Sequence, residues 1–155
     1  MFFHEMAQSG HIRFLDGADS WQQAVRLSCE SLVDSGAVDS DYAEQVIACV
    51  EKYGPYIVVL PGLAIPHCNE GNPCVHRSTI AFAKFREEVF FPFPDDERSA
   101  SVFFALAAAD PDTHLDNMKQ LFDILSEEEV LRQVQEAETV EDLLKIDHLI
   151  SSTNI

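Results

Sequence analysis

Residues 100–107 read Ala-Ser-Val-Phe-Phe-Ala-Leu-Ala, an apolar run with one serine and no polar residue at every second place. A strand with one face in water alternates, whereas a run like this belongs to a sheet covered on both faces. Residues 56–60 (Tyr-Ile-Val-Val-Leu) and 63–65 (Leu-Ala-Ile) have the same character, with the turn pair Pro61-Gly62 between them. Residues 78–85 and 88–91 add two further strand signals. The Pro-rich, charged stretch 92–99, PFPDDERS, is expected to be a loop leading into the run at 100–107.

Such a sheet needs helices on both sides, and the two ends of the chain supply them. Ser20-Trp21-Gln22-Gln23 has the form of a capping box, opening a helix with Trp21, Ala24, Val25, Ser28, Cys29 and Leu32 on one face and Gly36 at its close. A second helix is expected over 40–53, with Tyr42, Val46, Cys49, Val50 and Tyr53 at helical spacing and Gly54-Pro55 as the stop. After residues 109–113 a third carries Leu115, Met118, Leu121, Phe122 and Leu125 on its expected inner face. Ser126-x-x-Glu129 and Thr139-x-x-Asp142 look like starts of two more, bearing Val130, Leu131 and Val134, then Leu143, Leu144, Ile146 and Leu149. The order helices, strands, helices predicts an α/β fold: a mixed-sheet α/β sandwich with helices on both faces. No repeat, low-complexity tract or linker divides the chain, so residues 1–155 are expected to form a single domain.

Composition excludes more than it assigns. Ten basic against 27 acidic residues give a formal charge of −17, which repels nucleic acid and anionic membrane and favours a partner with a basic docking face, if it does more than keep the chain soluble. The opening MFFHEM has no basic n-region and no apolar run long enough for a signal peptide, and nothing approaches the length of a membrane span, so a cytoplasmic location is expected. Cys29, Cys49, Cys68 and Cys74 suit that compartment as free thiols, the first two on apolar helix faces.

Two of the six histidines stand out by position. His67 follows a strand and is preceded by Pro66, which restricts the local backbone and so aims the ring; His114 opens the helix after the strand at 100–107. Strand ends and helix N-termini are where open α/β sheets gather ligand groups. If these two ends are neighbours, two imidazoles share one hollow. There is no phosphate-binding glycine loop, nucleophile elbow or HExxH motif. His67, Cys68, Cys74 and His76 place four metal-compatible side chains within ten residues. The two-residue cysteine spacing of strong zinc motifs is missing, and Cys68 beside His67 would point elsewhere in extended chain, so no metal or other cofactor is expected.

The stretch 54–67, GPYIVVLPGLAIPH, with Phe104-Ala105-Leu106-Ala107-Ala108-Ala109-Asp110 and then Thr113-His114, resembles the enzyme IIA component of the bacterial phosphoenolpyruvate:sugar phosphotransferase system. The likeness is to the mannitol/fructose class and, through GPYIVVLPGLAIPH and the helix start Ser20-Trp21-Gln22-Gln23-Ala24-Val25, to its ascorbate type; it runs from about Ser20 to Asp147. The resemblance implies a phosphocarrier. His67, in the family's Pro-His motif, would take a phosphoryl group from the histidine-containing phosphocarrier protein and pass it to a cysteine of a IIB component serving a IIC membrane permease. His114 matches the family's second active-site histidine and would stabilise the group in transfer, together with backbone N–H groups at the start of its helix. Cys68-Asn69 departs from the small residue and arginine usual after the active histidine, with Lys52 and Arg77 the nearest basic residues in sequence. A regulatory domain of the same fold and a metal module on His67, Cys68, Cys74 and His76 are the alternatives; the oligomeric state is left open, a homodimer included.

Overall fold

The computed structural model describes residues 2–68 and 73–153. Its elements are α1 (Phe2–Gln8), β1 (Ile12–Leu15), α2 (Trp21–Asp34), α3 (Tyr42–Tyr53), β2 (Val58–Leu60), β3 (Gly62–Ala64), β4 (Thr79–Phe93), β5 (Asp96–Ala107), α4 (Pro111–Leu125), α5 (Glu128–Glu136) and α6 (Val140–Thr153). The five strands form one mixed sheet in the order β1-β4-β5-β3-β2. β1 runs parallel to β4, β4 antiparallel to β5, and β5 parallel to β3.

Burial on β5 explains its unbroken apolar sequence. Phe103, Ala105 and Ala107 lie in the core under α2 and α3, while Val102, Phe104 and Leu106 lie in the core on the opposite face with residues of α1, α4, α5 and α6. Successive side chains point to opposite faces, and both faces are dry. The expected sandwich, helices on both sides of a mixed sheet, is the observed one.

Local signals place most helix ends. Gln23 N–H donates to the Ser20 hydroxyl at 3.1 Å, and Thr139 and Asp142 cap each other reciprocally at 3.2 Å. Ser126 departs from expectation: it ends α4, and its hydroxyl donates to the Asp123 carbonyl, while Glu127 precedes α5 without a side-chain cap. The inner face of α4 also differs. Leu121, Ile124 and Leu125 are buried, but Leu115 and Phe122 are exposed, by 69% and 38%.

The stretch 92–99 is not a loop. β4 continues through Pro92 and Phe93, reverses at Pro94-Asp95, and pairs with β5 from Asp96 onward; the two expected strand segments are one strand, beginning at Thr79, with an irregularity between Lys84 and Val89. Proline is tolerated because β1 pairs with β4 only as far as Phe85, so the outer edge at Pro92 has no ladder to break. Arg98 donates to the carbonyls of Pro55 (3.1 Å) and Val58 (2.9 Å), fastening the ribbon to the start of β2.

α1 and β1 went without an assignment in the sequence, and α1 owes its place to a residue at the other end of the chain. The Asp147 carboxylate, 1% exposed, accepts from the N–H groups of Phe3 (2.8 Å) and His4 (2.9 Å) and meets His4 Nδ1 at 2.5 Å. A carboxylate at a helix N-terminus satisfies amides that have no partner within the helix.

Gly62 turns the chain from β2 into β3 with φ +84°, and a Cβ there would come within 2.9 Å of Gln135 Nε2. A side chain in the left-handed region costs about 1–2 kcal/mol, so Gly62→Ala should lower stability by about that amount. Urea unfolding of the two proteins measures the difference.

Candidate active site

The parallel pairing of β3 with β5 decides where the site falls. Leu63 lies opposite Val102 and Ala64 opposite Phe103, so both strands run toward the same edge of the sheet. Beyond β3 the chain keeps its register: Ile65 N–H donates to the Ile57 carbonyl at 2.7 Å, and Leu106 N–H to the Pro66 carbonyl at 2.9 Å. Pro66 has no N–H to offer, yet its carbonyl is still tied to β5. His67 is thereby delivered to the strand end beside the start of α4.

There the rings of His67 and His114 stand 5.4 Å apart, centroid to centroid, with 34° between their planes. His67 is 5% exposed. Its Nδ1 lies 2.5 Å from the Ile65 carbonyl oxygen. A carbonyl can only accept, so Nδ1 carries the proton and Nε2 carries the lone pair. Fixing one ring nitrogen in this way selects the tautomer in which the other is nucleophilic.

Two tyrosines hold this geometry. The Tyr56 hydroxyl donates to the His67 carbonyl at 2.5 Å, and its ring meets the imidazole edge-on, centroids 5.2 Å apart. The Tyr42 hydroxyl, buried, donates to the Leu106 carbonyl at 2.7 Å, so a phenol on α3 holds the end of β5. Burial raises the Tyr42 pKa and keeps the phenol neutral at ordinary pH. In the sequence both read only as apolar positions. Their signal was chemical: a buried tyrosine needs a partner for its hydroxyl. Tyr42→Phe leaves a buried carbonyl short of a donor and should cost about 1–3 kcal/mol, measured by thermal unfolding.

His114 sits in the first turn of α4, half-buried, and burial holds its pKa below the ordinary 6.5. The ring is therefore neutral at pH 7 and has one N–H to donate. The folded ring binds a proton less readily than the unfolded one, so falling pH draws the protein toward the unfolded state. The stabilisation from a neutral His114 is present above 6.5 and is lost as pH falls from there through the lowered folded value. Relative to His114→Gln, the wild type should lose thermal stability over that window. A pH-independent difference between the two midpoints would contradict it.

The helix start commits two of the backbone amides expected there, those of Thr113 and His114, to Asp110. Asp110 caps α4: its carboxylate takes the Thr113 N–H and hydroxyl, each at 2.8 Å. Pro111 has no N–H, and His114 N–H donates to the Asp110 carbonyl at 3.1 Å. These donors hold the Asp110 carboxyl below the usual carboxylate range. The Thr113 and His114 amides of the first turn are thus taken up by Asp110.

The loop residues are not brought together as one metal site. Cys68 Sγ lies 3.3 Å from Cys49 Sγ, Cys74 Sγ accepts from Gln45 Nε2 at 3.1 Å, and His76 Nε2 meets Asp39 Oδ1 at 2.7 Å. Residues 69–72 of this loop lie outside the described residues; among those described, no group of three or more His, Cys, Asp and Glu side chains could hold a metal ion. Arg77 donates to Ser35, and the Lys52 ammonium stands 5.0 Å from the centre of the Tyr53 ring, contacts that involve neither His67 nor His114.

A nucleophilic ring nitrogen beside a neutral imidazole donor is an arrangement suited to carrying a phosphoryl group, and comparison with known proteins gives it a family. The chain is 29% identical over 152 residues to the ascorbate-specific PTS system EIIA component of Escherichia coli K12, covering 96% of this chain and 94% of that one. The solution structure of the E. coli mannitol-specific cryptic phosphotransferase enzyme IIA matches with a TM-score of 0.82 at 27% identity, covering 94% of this chain and 97% of that one. The fold is also that of E. coli enzyme IIA for mannitol, solved in complex with phosphorylated enzyme IIB, at TM-score 0.72 and 24% identity over 86% of this chain and 92% of the other. Residues 5–148 match the model of the phosphoenolpyruvate-dependent sugar phosphotransferase system EIIA 2 family, and the chain belongs to that family, as a phosphotransferase component of sugar uptake.

Proposed function

We propose that His67 accepts a phosphoryl group from the phosphohistidine of the histidine-containing phosphocarrier protein and donates it to a cysteine of a IIB component, in uptake of an ascorbate-like carbohydrate through a IIC permease. The observation that carries this reading is the bond from His67 Nδ1 to the Ile65 carbonyl, which assigns the lone pair to Nε2. Nε2 attacks phosphorus as the donor's N–P bond breaks; the donor ring recovers its lone pair, and no net proton moves. Phosphoryl transfer depends on positioning and charge stabilisation more than on covalent help. The Tyr56 bond and the Leu106–Pro66 pairing support the first. His114, one ring away and neutral, supports the second by donating its N–H to a phosphoryl oxygen.

Residues 1–155 act in this reading as one cytoplasmic unit. Among the described residues no helix is long and apolar enough to cross a membrane. Leu115, the residue after His114, is exposed on α4 and offers an apolar contact for a docked partner, while the charge of −17 favours a basic partner face. The known complex of a IIA protein of this fold with phosphorylated IIB supports the second transfer. The test is incubation with phosphoenolpyruvate, enzyme I and the histidine-containing carrier. The expected product is one acid-labile, base-stable phosphoryl group per chain, mapped to His67; labelling elsewhere, or none, would overturn the assignment.

A further inference from the structure

The phosphoacceptor strand end carries a second chemistry that the transfer does not use. Cys68, the residue after His67, has its sulfur 3.3 Å from that of Cys49 on α3, and both residues are half-buried, within reach of a small solute. The other two cysteines differ. Cys29 is fully buried, with its thiol pushed up to about 12 by burial, and Cys74 is buried with the Gln45 amide on its sulfur. A disulfide needs its sulfurs at 2.03–2.05 Å, so the sulfurs of Cys49 and Cys68, 3.3 Å apart, must close by only about 1.3 Å.

We propose that Cys49 and Cys68 form a peroxide-responsive dithiol whose closure to a disulfide restrains the His67 end of the strand and slows phosphoryl transfer. In the first step one thiolate attacks hydrogen peroxide: an S–O bond forms, the O–O bond breaks, and the departing hydroxide takes up the thiol's proton as water. In the second the other thiolate attacks the sulfenic sulfur: the S–S bond forms, the S–O bond breaks, and the oxygen leaves as a second water with the remaining proton. Two thiols are oxidised by two electrons in all, and one peroxide is reduced to two waters.

The cost to transfer follows from where Cys68 sits. The adjoining His67 carbonyl accepts from Tyr56, so a sulfur drawn onto α3 pulls on the peptide that orients the imidazole. Small misplacements of a reacting group carry large rate penalties, up to about a hundredfold for 1 Å.

The proposal rests on His67 as acceptor for its effect on rate, and its test keeps the two claims apart. The purified chain alone is treated with hydrogen peroxide and freed of it before any other protein is added. Expected are an intact mass lower by two hydrogen atoms, a digest peptide linking Cys49 to Cys68, and shifted imidazole resonances of His67 in a nitrogen-15 spectrum. Phosphoryl acceptance from the carrier should slow by about tenfold or more, with recovery on adding dithiothreitol. Cys49→Ser should accept at the reduced wild-type rate before and after peroxide. A digest without the linked peptide, or a linked protein with unchanged His67 resonances, overturns the proposal, as does an unchanged acceptance rate in the linked protein. If even the reduced chain takes no phosphoryl group, the carrier reading fails, and the linked peptide and ring resonances still decide whether the dithiol closes and reaches His67.

Discussion

Replacing His67 by alanine should abolish labelling from the carrier protein. Alanine removes the proposed nucleophile itself, and the neighbouring imidazole, His114, belongs to a different element and presents its own geometry to the donor. The ring is a small part of the core, and its Nδ1 bond reaches only two residues back, to Ile65, so the variant should remain folded; circular dichroism checks this. Labelling of His67→Ala to the wild-type level would remove His67 from the mechanism.

His114→Ala should retain labelling at His67 but at a rate lower by about a hundredfold or more, the loss typical of one preorganised donor to developing charge. The number is expected to be large because the neighbouring donors are already committed. Asp110 engages the Thr113 amide through its carboxylate and the His114 amide through its carbonyl, and Pro111 has none, so the α4 terminus offers little to share the charge if the imidazole is lost. His114→Gln should be milder, since an amide N–H substitutes where its reach allows. Rapid-quench rates for both variants, taken at a pH above the imidazole range, provide the measurement. Rates equal to wild type would mean that the two rings do not act together, and complete loss of labelling with His67 intact would make His114 the acceptor.

What the sequence revealed and concealed follows from the range of the interactions involved. β5, α2 and the capping boxes at Ser20 and Thr139 were legible because run length, spacing and caps are local. α1 was not, since its cap, Asp147, lies more than 140 residues away. The hairpin at Pro94-Asp95 was hidden because proline and charge at 92–99 mark a loop unless one knows that β1 stops short and leaves that edge open. Leu115 and Phe122 have core spacing on α4, but periodicity cannot say which part of a helix has no neighbour. For the site, His67 and His114 could be picked from their places at element ends. Their approach depends on β3 running parallel to β5, and the roles of Tyr42 and Tyr56 depend on contacts between elements.

The β4–β5 ribbon has a practical consequence. Its turn at Pro94-Asp95 and the histidine pair mark opposite ends of β5, separated by twelve residues of strand, Asp96–Ala107, or roughly 35–40 Å at the usual rise. A fluorophore or short affinity tag attached at Asp95 would stand on the far side of the molecule from any protein engaging His67. Carrier and IIB binding could then be followed by rotational diffusion in one labelled preparation, with the docking face left unaltered.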